Sequence, residues 1–338
     1  MRKLESSRKS VKESITRNQV FVVRKNLKLP ENVNITKTKA PTGICRSLFN
    51  EKNECRKTAP GSAEHRYRPM RRRTLRTTRY QIPLRKEEVP SGKFRFAFFT
   101  DLHNCCGKEE AERLLSALEA GKPDFVLCGG DSIVAKPGRP TAPAVAFLQE
   151  VGRRFPLYCG TGNHEYRARI YPDTYQDMYW EFTEPLRKSG VTILENSTVS
   201  FLCRDIPVQI LGFDLDRYYY RRFHHSILPE GELDKALGRP DSHAVTILLA
   251  HNPLMLQTYL SWKADMTFCG HYHGGVMRFG AHHGLISPDF RLFPGNAYGL
   301  FHQEGKYCIV SSGCGEHSIP VRIHNPREIV VADLTVSR

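Results

Sequence analysis

The stretch Ala264-Asp265-Met266-Thr267-Phe268-Cys269-Gly270-His271-Tyr272-His273-Gly274-Gly275 places two histidines one residue apart, hemmed by glycines, at the end of a short apolar run. A short apolar run stopped by glycine reads as a strand. A strand that ends on two imidazoles raises the question of their partners, and four further runs supply them. "FAFFT" (96–100) leads into Asp101-Leu102-His103, "DFVLCGG" (124–130) into Asp131, "PLYCGTG" (156–162) into Asn163-His164-Glu165, and "VTILLA" (245–250) into His251-Asn252-Pro253. Five strand-like runs thus deliver metal-competent side chains at the same end. In open α/β sheets the ligand site lies outside the carboxyl ends of the strands, so these residues are expected to converge in one crevice. In extended backbone residues i and i+2 point to one side, which pairs Asp101 with His103 and His271 with His273. The glycines let backbone and substrate approach closely.

Helical patterns lie between the early runs. "KEEAERLLSALEAGKP" (108–123) puts Ala111, Leu114, Leu115 and Leu118 on one face and stops at Gly121 and Pro123; "APAVAFLQEVGRRFP" (142–156) reads the same way. Further runs, "VTILEN" (191–196), "VQILGF" (208–213), "YCIVSS" (307–312) and "EIVVADL" (328–334), extend the strand count. The order strand, helix, strand, helix, strand predicts an α/β layered domain with helices outside the sheet.

The 338 residues carry a formal net charge of +15, but the charge is local. Residues 1–80 hold 22 Lys and Arg against 6 Asp and Glu, leaving 28 against 29 for residues 81–338. The basicity belongs to the head and says nothing of the body. Residues 1–80, rich in Arg, Lys, Thr, Ser and Asn without a sustained period, are expected to form a disordered or weakly ordered arm, with the folded domain at 81–338. The head lacks the continuous apolar core of a secretory signal, and no window approaches the roughly 18–20 apolar residues of a bilayer span. The expectation is a cytoplasmic protein, peripheral at the membrane if attached at all. The ten cysteines include several inside strand-like runs, which favours buried free thiols over disulfides.

Asp101, His103, Asp131, Asn163, His251, His271 and His273 are two carboxylates, one amide and four imidazoles. Seven ligands exceed one tetrahedral ion and suit two ions sharing a bridging carboxylate. The absence of thiolate disfavours structural zinc and iron–sulfur clusters, and four histidines disfavour magnesium and calcium, leaving manganese, iron or zinc. Two dications against two carboxylates leave a positive cavity that attracts phosphate, and a hydroxide clamped between the ions would serve as nucleophile. The chemistry expected is phosphoester hydrolysis.

The ordered set D-x-H, G-G-D, G-N-H-E, H and G-H-x-H, carried by Asp101 and His103, Gly129 to Asp131, Gly162 to Glu165, His251, and Gly270 to His273, resembles the calcineurin-like metallophosphoesterase superfamily. The resemblance covers about residues 90–338, and the tail "GEHSIPVRIHNPREIVVADL" is similar to a bacterial branch with "GHxHGG" and an "H-x-I-P-x-R" ending, which includes membrane-associated phosphodiesterases. It implies two facing sheets flanked by helices, a four-layer α/β/β/α sandwich. It implies one metal held by Asp101, His103, Asp131 and His273, and a second held by Asp131, Asn163, His251 and His271, with Asp131 bridging. It also implies that His164 aids leaving-group departure as hydrogen-bond donor or general acid. Glu165 is expected as a hydrogen-bonding support.

Departures from other branches narrow the substrate. "GGDSIVAKPG" (129–138) lacks the arginine of the protein phosphatases, Val134 replaces the metal-binding tyrosine of purple acid phosphatases, and the chain stops before any extra substrate domain of the secreted nucleotidase kind. A phosphodiesterase for a lipid-linked or nucleotide-linked substrate is the reading that remains. The alternative is a metal-binding pseudoenzyme or binding module recruited by the basic arm to anionic lipid or nucleic acid. Peripheral contact with an anionic membrane through residues 1–80 is an expected partner interaction; no specific nucleic-acid partner is expected. The run "DRYYYRRFHH" (216–225) offers Arg217, Arg221 and Arg222 as a phosphate grip over the cleft, with an exposed charged loop as the plainer reading. His282, His283 and His317 are expected to be structural or solvent-facing, and Tyr298 and Phe301 to pack within their loop.

Overall fold

The computed structural model describes residues 21–24, 74–223, 226–316 and 321–338. The chain divides into two units, Met1–Lys25 with Arg73–Arg338, and Asn26–Arg72; every described residue belongs to the first. The strands are β1 (Phe21–Arg24), β2 (Leu75–Arg85), β3 (Gly92–Phe99), β4 (Phe125–Cys128), β5 (Leu157–Cys159), β6 (Thr192–Ile193), β7 (Ser197–Cys203), β8 (Ile206–Phe213), β9 (Val245–Ala250), β10 (Met266–Cys269), β11 (Arg278–Phe279), β12 (His283–Gly284), β13 (Gly299–Gln303), β14 (Lys306–Val310) and β15 (Arg327–Ser337). The principal helices are α1 (Lys108–Gly121), α2 (Ala142–Arg154), α3 (Asn163–Ile170), α4 (Met178–Lys188), α5 (Glu232–Leu237) and α6 (Leu256–Ser261).

Two mixed sheets face each other. One has the order β2-β15-β3-β4-β5-β6, the other β1-β7-β8-β9-β10-β14-β13. Strands β3 to β6 run parallel in the first sheet, and β8, β9, β10 and β14 run parallel in the second. Alternation along β3 sends Phe94, Phe96 and Phe98 between the sheets and Ala97 and Phe99 toward the helices. Phe98 meets Phe268 across the gap with ring centroids 4.9 Å apart. Outside the first sheet pack α1, α2 and α4 through residues such as Leu118, Leu148 and Phe182; outside the second pack α5 and α6 through Leu237, Leu256 and Tyr259. The architecture is the expected α/β/β/α sandwich.

The expected boundary at residue 81 falls inside β2. Leu75–Arg85 pairs in parallel with β15 along its whole length and buries Ile82 and Leu84 between the sheets, so residues 75–80 are strand. Pro83 is tolerated because β2 is an edge strand. Phe21–Arg24, also within the expected arm, pairs antiparallel with β7. The remaining residues up to 73 lie outside the described residues. Among the described residues no helix is long and apolar enough to cross a membrane, and the eight cysteines, seven of them buried, are free.

A buried ion pair ties the sheets near their amino ends. Asp265 accepts from Lys86 at 2.7 Å, from Lys306 at 3.0 Å and from the Thr246 amide at 2.9 Å. Burial raises the Asp265 carboxyl, but Lys86 and Lys306 outweigh it and hold the group below the usual carboxylate range. A depressed folded-state pKa contributes stability above the unfolded value of about 3.9 and loses it as pH falls through the folded value. Asp265→Asn is therefore expected to cost about 1–3 kcal/mol at neutral pH, with the gap to wild type closing below about pH 4. Urea unfolding across that range checks this; a pH-independent gap would assign the cost to packing instead.

Candidate metal centre

The carboxyl ends of β3, β4 and β5 and those of β9 and β10 open onto one cleft. Asp101 and His103 follow β3, Asp131 follows β4, Asn163 opens α3 after β5, His251 follows β9 directly, and His271 and His273 follow β10. Asp101 Oδ1 lies 3.3 Å from His273 Nε2 and 3.6 Å from His251 Nε2. Asp131 Oδ2 lies 3.2 Å from His251 Nε2 and 3.8 Å from His103 Nε2. His103 and His273 bring their Nε2 atoms to 3.0 Å. Potential ligand atoms cluster within 4.8 Å in three groups: Asp101, His103 and His273; Asp131, His251 and His271; and His103, Asp131 and His164. The first two groups each hold three of the four residues expected at one ion, and Asp131 belongs to two of the three. Asn163 lines the same cleft, and its Oδ1 is buried without a hydrogen-bond partner.

The residues present fit a cation site. Carboxylate oxygens, imidazole nitrogens and an orphaned amide oxygen converge in a buried space, and a nitrogen and oxygen donor set without thiolate suits manganese, iron or zinc. The His251 Nδ1–H donates to the Gly129 carbonyl at 2.8 Å, which aims Nε2 at Asp131 as a metal-ready lone pair. Without an ion, the cluster is electrostatically polarised. Burial lifts the Asp101 carboxyl above its ordinary range; burial opposes ionisation of Asp131 too, but the charged His251 beside it holds that carboxyl well below the range. Burial opposes charging of His251, yet Asp131 and Asp101 raise its pKa. A bound dication would replace that imidazolium as the counter-charge.

The pairing of ligands arises differently from the expectation of extended backbone. The strands end at Phe99 and Cys269, and Asp101, His103, Asp131, His271 and His273 have φ of 55°, 45°, 50°, 64° and 48°. Left-handed backbone at non-glycine residues costs of order 1–3 kcal/mol each, so the turns need support. Glu165 provides much of it: its carboxylate accepts from the amides of Asp131 (2.9 Å), Ser132 (2.7 Å), Ile133 (3.2 Å) and Gly162 (2.9 Å). The His271 amide donates to both Asp101 oxygens at 3.1 Å, an approach open only because a Cβ on Gly270 would sit 2.3 Å from Asp101 Oδ2. A Cβ on Gly130, at φ 93°, would likewise sit 2.3 Å from the Gly162 amide nitrogen.

His164 stands beside the cluster, its ring 5.0 Å from that of His103. Its Nδ1 accepts from the Ala135 amide at 2.8 Å, so the neutral ring carries its proton on Nε2. Burial is the main cause that drops its pKa to about 3.

The cleft measures about 890 Å³ and is cationic: Lys136, Arg139, Arg167, Arg217, Arg221, Arg222 and Arg322 line it, against Asp131 and Glu316. The 3₁₀ turn Arg217–Tyr220 thus forms part of the wall, with the Tyr220 ring 5.0 Å from that of His271. Arg167 and Arg322 carried no weight in the sequence reading. Arg167 Nη2 reaches His164 Nδ1 at 2.9 Å, and Arg322 Nη2 reaches the Gly315 carbonyl at 2.5 Å. The arginine of the tail motif was the available signal for Arg322. Tyr298, Phe301, His282 and His283 do not line the cleft; Tyr298 donates to the Gly280 carbonyl and Phe301 packs on His282. His317 lies outside the described residues.

Residues 94–275 match the family model for calcineurin-like phosphoesterases, more than half of the chain. The chain belongs to the calcineurin-like phosphoesterase family. Similar proteins include a Caenorhabditis elegans protein named as a metallophosphoesterase, 26% identical over 267 residues (75% of this chain, 51% of the relative). An uncharacterized metallophosphoesterase of Helicobacter pylori is 28% identical over 242 residues (70% and 58%). Escherichia coli phosphodiesterase YaeI is 23% identical over 193 residues (55% and 62%). The chain thus spans about half to three-fifths of the length of these relatives.

Glu165→Gln is expected to weaken metal binding about 10–100-fold while leaving the chain folded, because it loosens the turn that presents Asp131. Calorimetric titration of the metal-stripped variant tests this, and unchanged affinity would show that other contacts hold the turn.

Proposed function

We propose that the protein is a metal-dependent phosphoester hydrolase with a dinuclear centre, acting on phosphodiesters. The observation that carries this reading is the position of Asp131, whose carboxylate belongs to two clusters of histidines at the floor of a cationic cleft. Asp101, His103, Asp131 and His273 would hold one ion and Asp131, Asn163, His251 and His271 the other, with manganese, iron or zinc as candidates. When bound, the ions supply Lewis acidity and a positive field for the charge that develops on phosphoryl oxygens.

The chain's own residues account for the remaining requirements. The arginines of the cleft wall bind the negative charge of the substrate. His164, with its proton on Nε2, donates a hydrogen bond to the departing oxygen; this rests on the Ala135 amide that occupies Nδ1. A cleft of about 890 Å³ is far larger than a phosphate group, which favours substituents on both sides of the phosphorus. The name of the E. coli relative YaeI, a phosphodiesterase, supports the diester preference; the diester is lipid-linked or nucleotide-linked in this reading.

Metal-stripped full chain reloaded with Mn²⁺, Fe²⁺, Zn²⁺ or Mg²⁺ is expected to hydrolyse bis-p-nitrophenyl phosphate faster than p-nitrophenyl phosphate. Asp131→Asn is expected to lose more than the about 10–100-fold typical of a residue beside a metal shell. His164→Ala is expected to lose about 10²–10⁴-fold in kcat with metal content unchanged. Two bound ions without turnover on either ester would favour a metal-binding module without hydrolase activity.

A further inference from the structure

Around the mouth of the cleft the surface is apolar and cationic at once. Phe223 and Ile227, just beyond the Arg217–Tyr220 turn, are 74% and 80% exposed, and in a neighbouring loop Leu292 and Phe293 are 63% and 57% exposed. Phe223 stacks on Phe290 with centroids 5.6 Å apart, and its amide donates to the Asp289 carbonyl at 3.1 Å, so the two loops form one rim. The Arg222 guanidinium lies 4.8 Å from the Phe290 ring; Arg221, Arg222 and Phe290 also line the cleft.

The backbone that carries these rings is strained. Phe223, Phe290 and Phe293 have φ of 59°, 63° and 52°, a region in which bulky residues are outliers. Exposed large apolar side chains on two loops that touch through Phe223 and Phe290 mark an interaction surface.

The shape and charge of the rim select that partner. Apolar side chains standing almost clear of the surface on two loops require a complementary socket in a protein partner, whereas a bilayer interface accepts them in any arrangement. The charge is complementary to anionic headgroups: Arg217, Arg221, Arg222 and Arg291 stand in the two rim segments against Asp214, Asp216 and Asp289, and each acid is engaged, Asp214 by Arg169 at 2.6 Å, Asp216 by the Tyr218 amide and the Tyr166 hydroxyl, and Asp289 by the Ser287 hydroxyl. We propose that the rim formed by Phe223, Ile227, Phe290, Leu292 and Phe293 docks on the surface of an anionic lipid bilayer, with the rim arginines at headgroup level and the cleft mouth facing the lipid. This goes beyond the hydrolase reading, and its test measures binding, so the two fail separately.

The full chain is sedimented with sucrose-loaded vesicles of phosphatidylcholine alone or of phosphatidylcholine with phosphatidylglycerol. Binding is expected only with the anionic lipid, and the combined variant Phe223→Ser, Ile227→Ser, Leu292→Ser and Phe293→Ser is expected to partition at least about tenfold more weakly. Its thermal melt should match wild type, since the side chains are exposed. Phe223→Trp is expected to show emission quenched by brominated phosphatidylglycerol. Equal sedimentation of wild type and the serine variant would overturn the proposal, as would absence of wild-type binding or of quenching. A wild-type dimer that dissociates on the serine substitutions would overturn it in favour of a second copy on the rim.

Discussion

The contact of Phe98 with Phe268 is the constraint on which the rest of the site depends. It joins β3 of one sheet to β10 of the other, in each case three residues before the chain delivers its first ligand, Asp101 or His271. Two sheets that pack face to face could slide or rotate against each other; interlocking aromatic rings fix their register. The consequence is local. The Asp101 carboxylate from the first sheet and the His271 amide from the second meet at 3.1 Å, and every other ligand is placed relative to that meeting point.

From there the site is a problem of strain and charge. Five of the seven candidate ligands adopt left-handed backbone, and two buried carboxylates share a small space with several imidazoles. The fold offsets the strain with the four amides gathered by Glu165 and with glycines where two backbones must nearly touch. It offsets the charge only in part. Proton sharing among Asp101, Asp131 and His251 is the metal-free answer, and a bound cation would give a better one, because it would replace shared protons as the counter-charge and could occupy the orphaned Asn163 oxygen.

The sequence disclosed the site more fully than the fold's edges. Each ligand stands within a few residues of the end of an apolar run, in four of the seven cases after a glycine, and that local grammar survives because the runs are buried on both faces. The four-layer order and the supporting role of Glu165 were legible in the same motifs. Strand β2 was not: in "LRTTRYQIPLR" polar residues dominate an edge strand, and its partner β15 lies some 250 positions away in sequence. The ligands reach one cleft as expected but not through extended backbone, because strand propensity says nothing of how sharply a strand must end. Arg167 and the phenylalanine rim were invisible for a different reason. Their meaning comes from proximity to the cleft, which only the assembled sheets create.

The central claim is that Asp131 stands between two ions, and anomalous diffraction from crystals of the manganese-loaded protein tests it most directly. The account predicts two anomalous peaks flanking the Asp131 carboxylate, one bounded by Asp101, His103 and His273 and the other by Asn163, His251 and His271. A single peak, or peaks remote from Asp131, would contradict it.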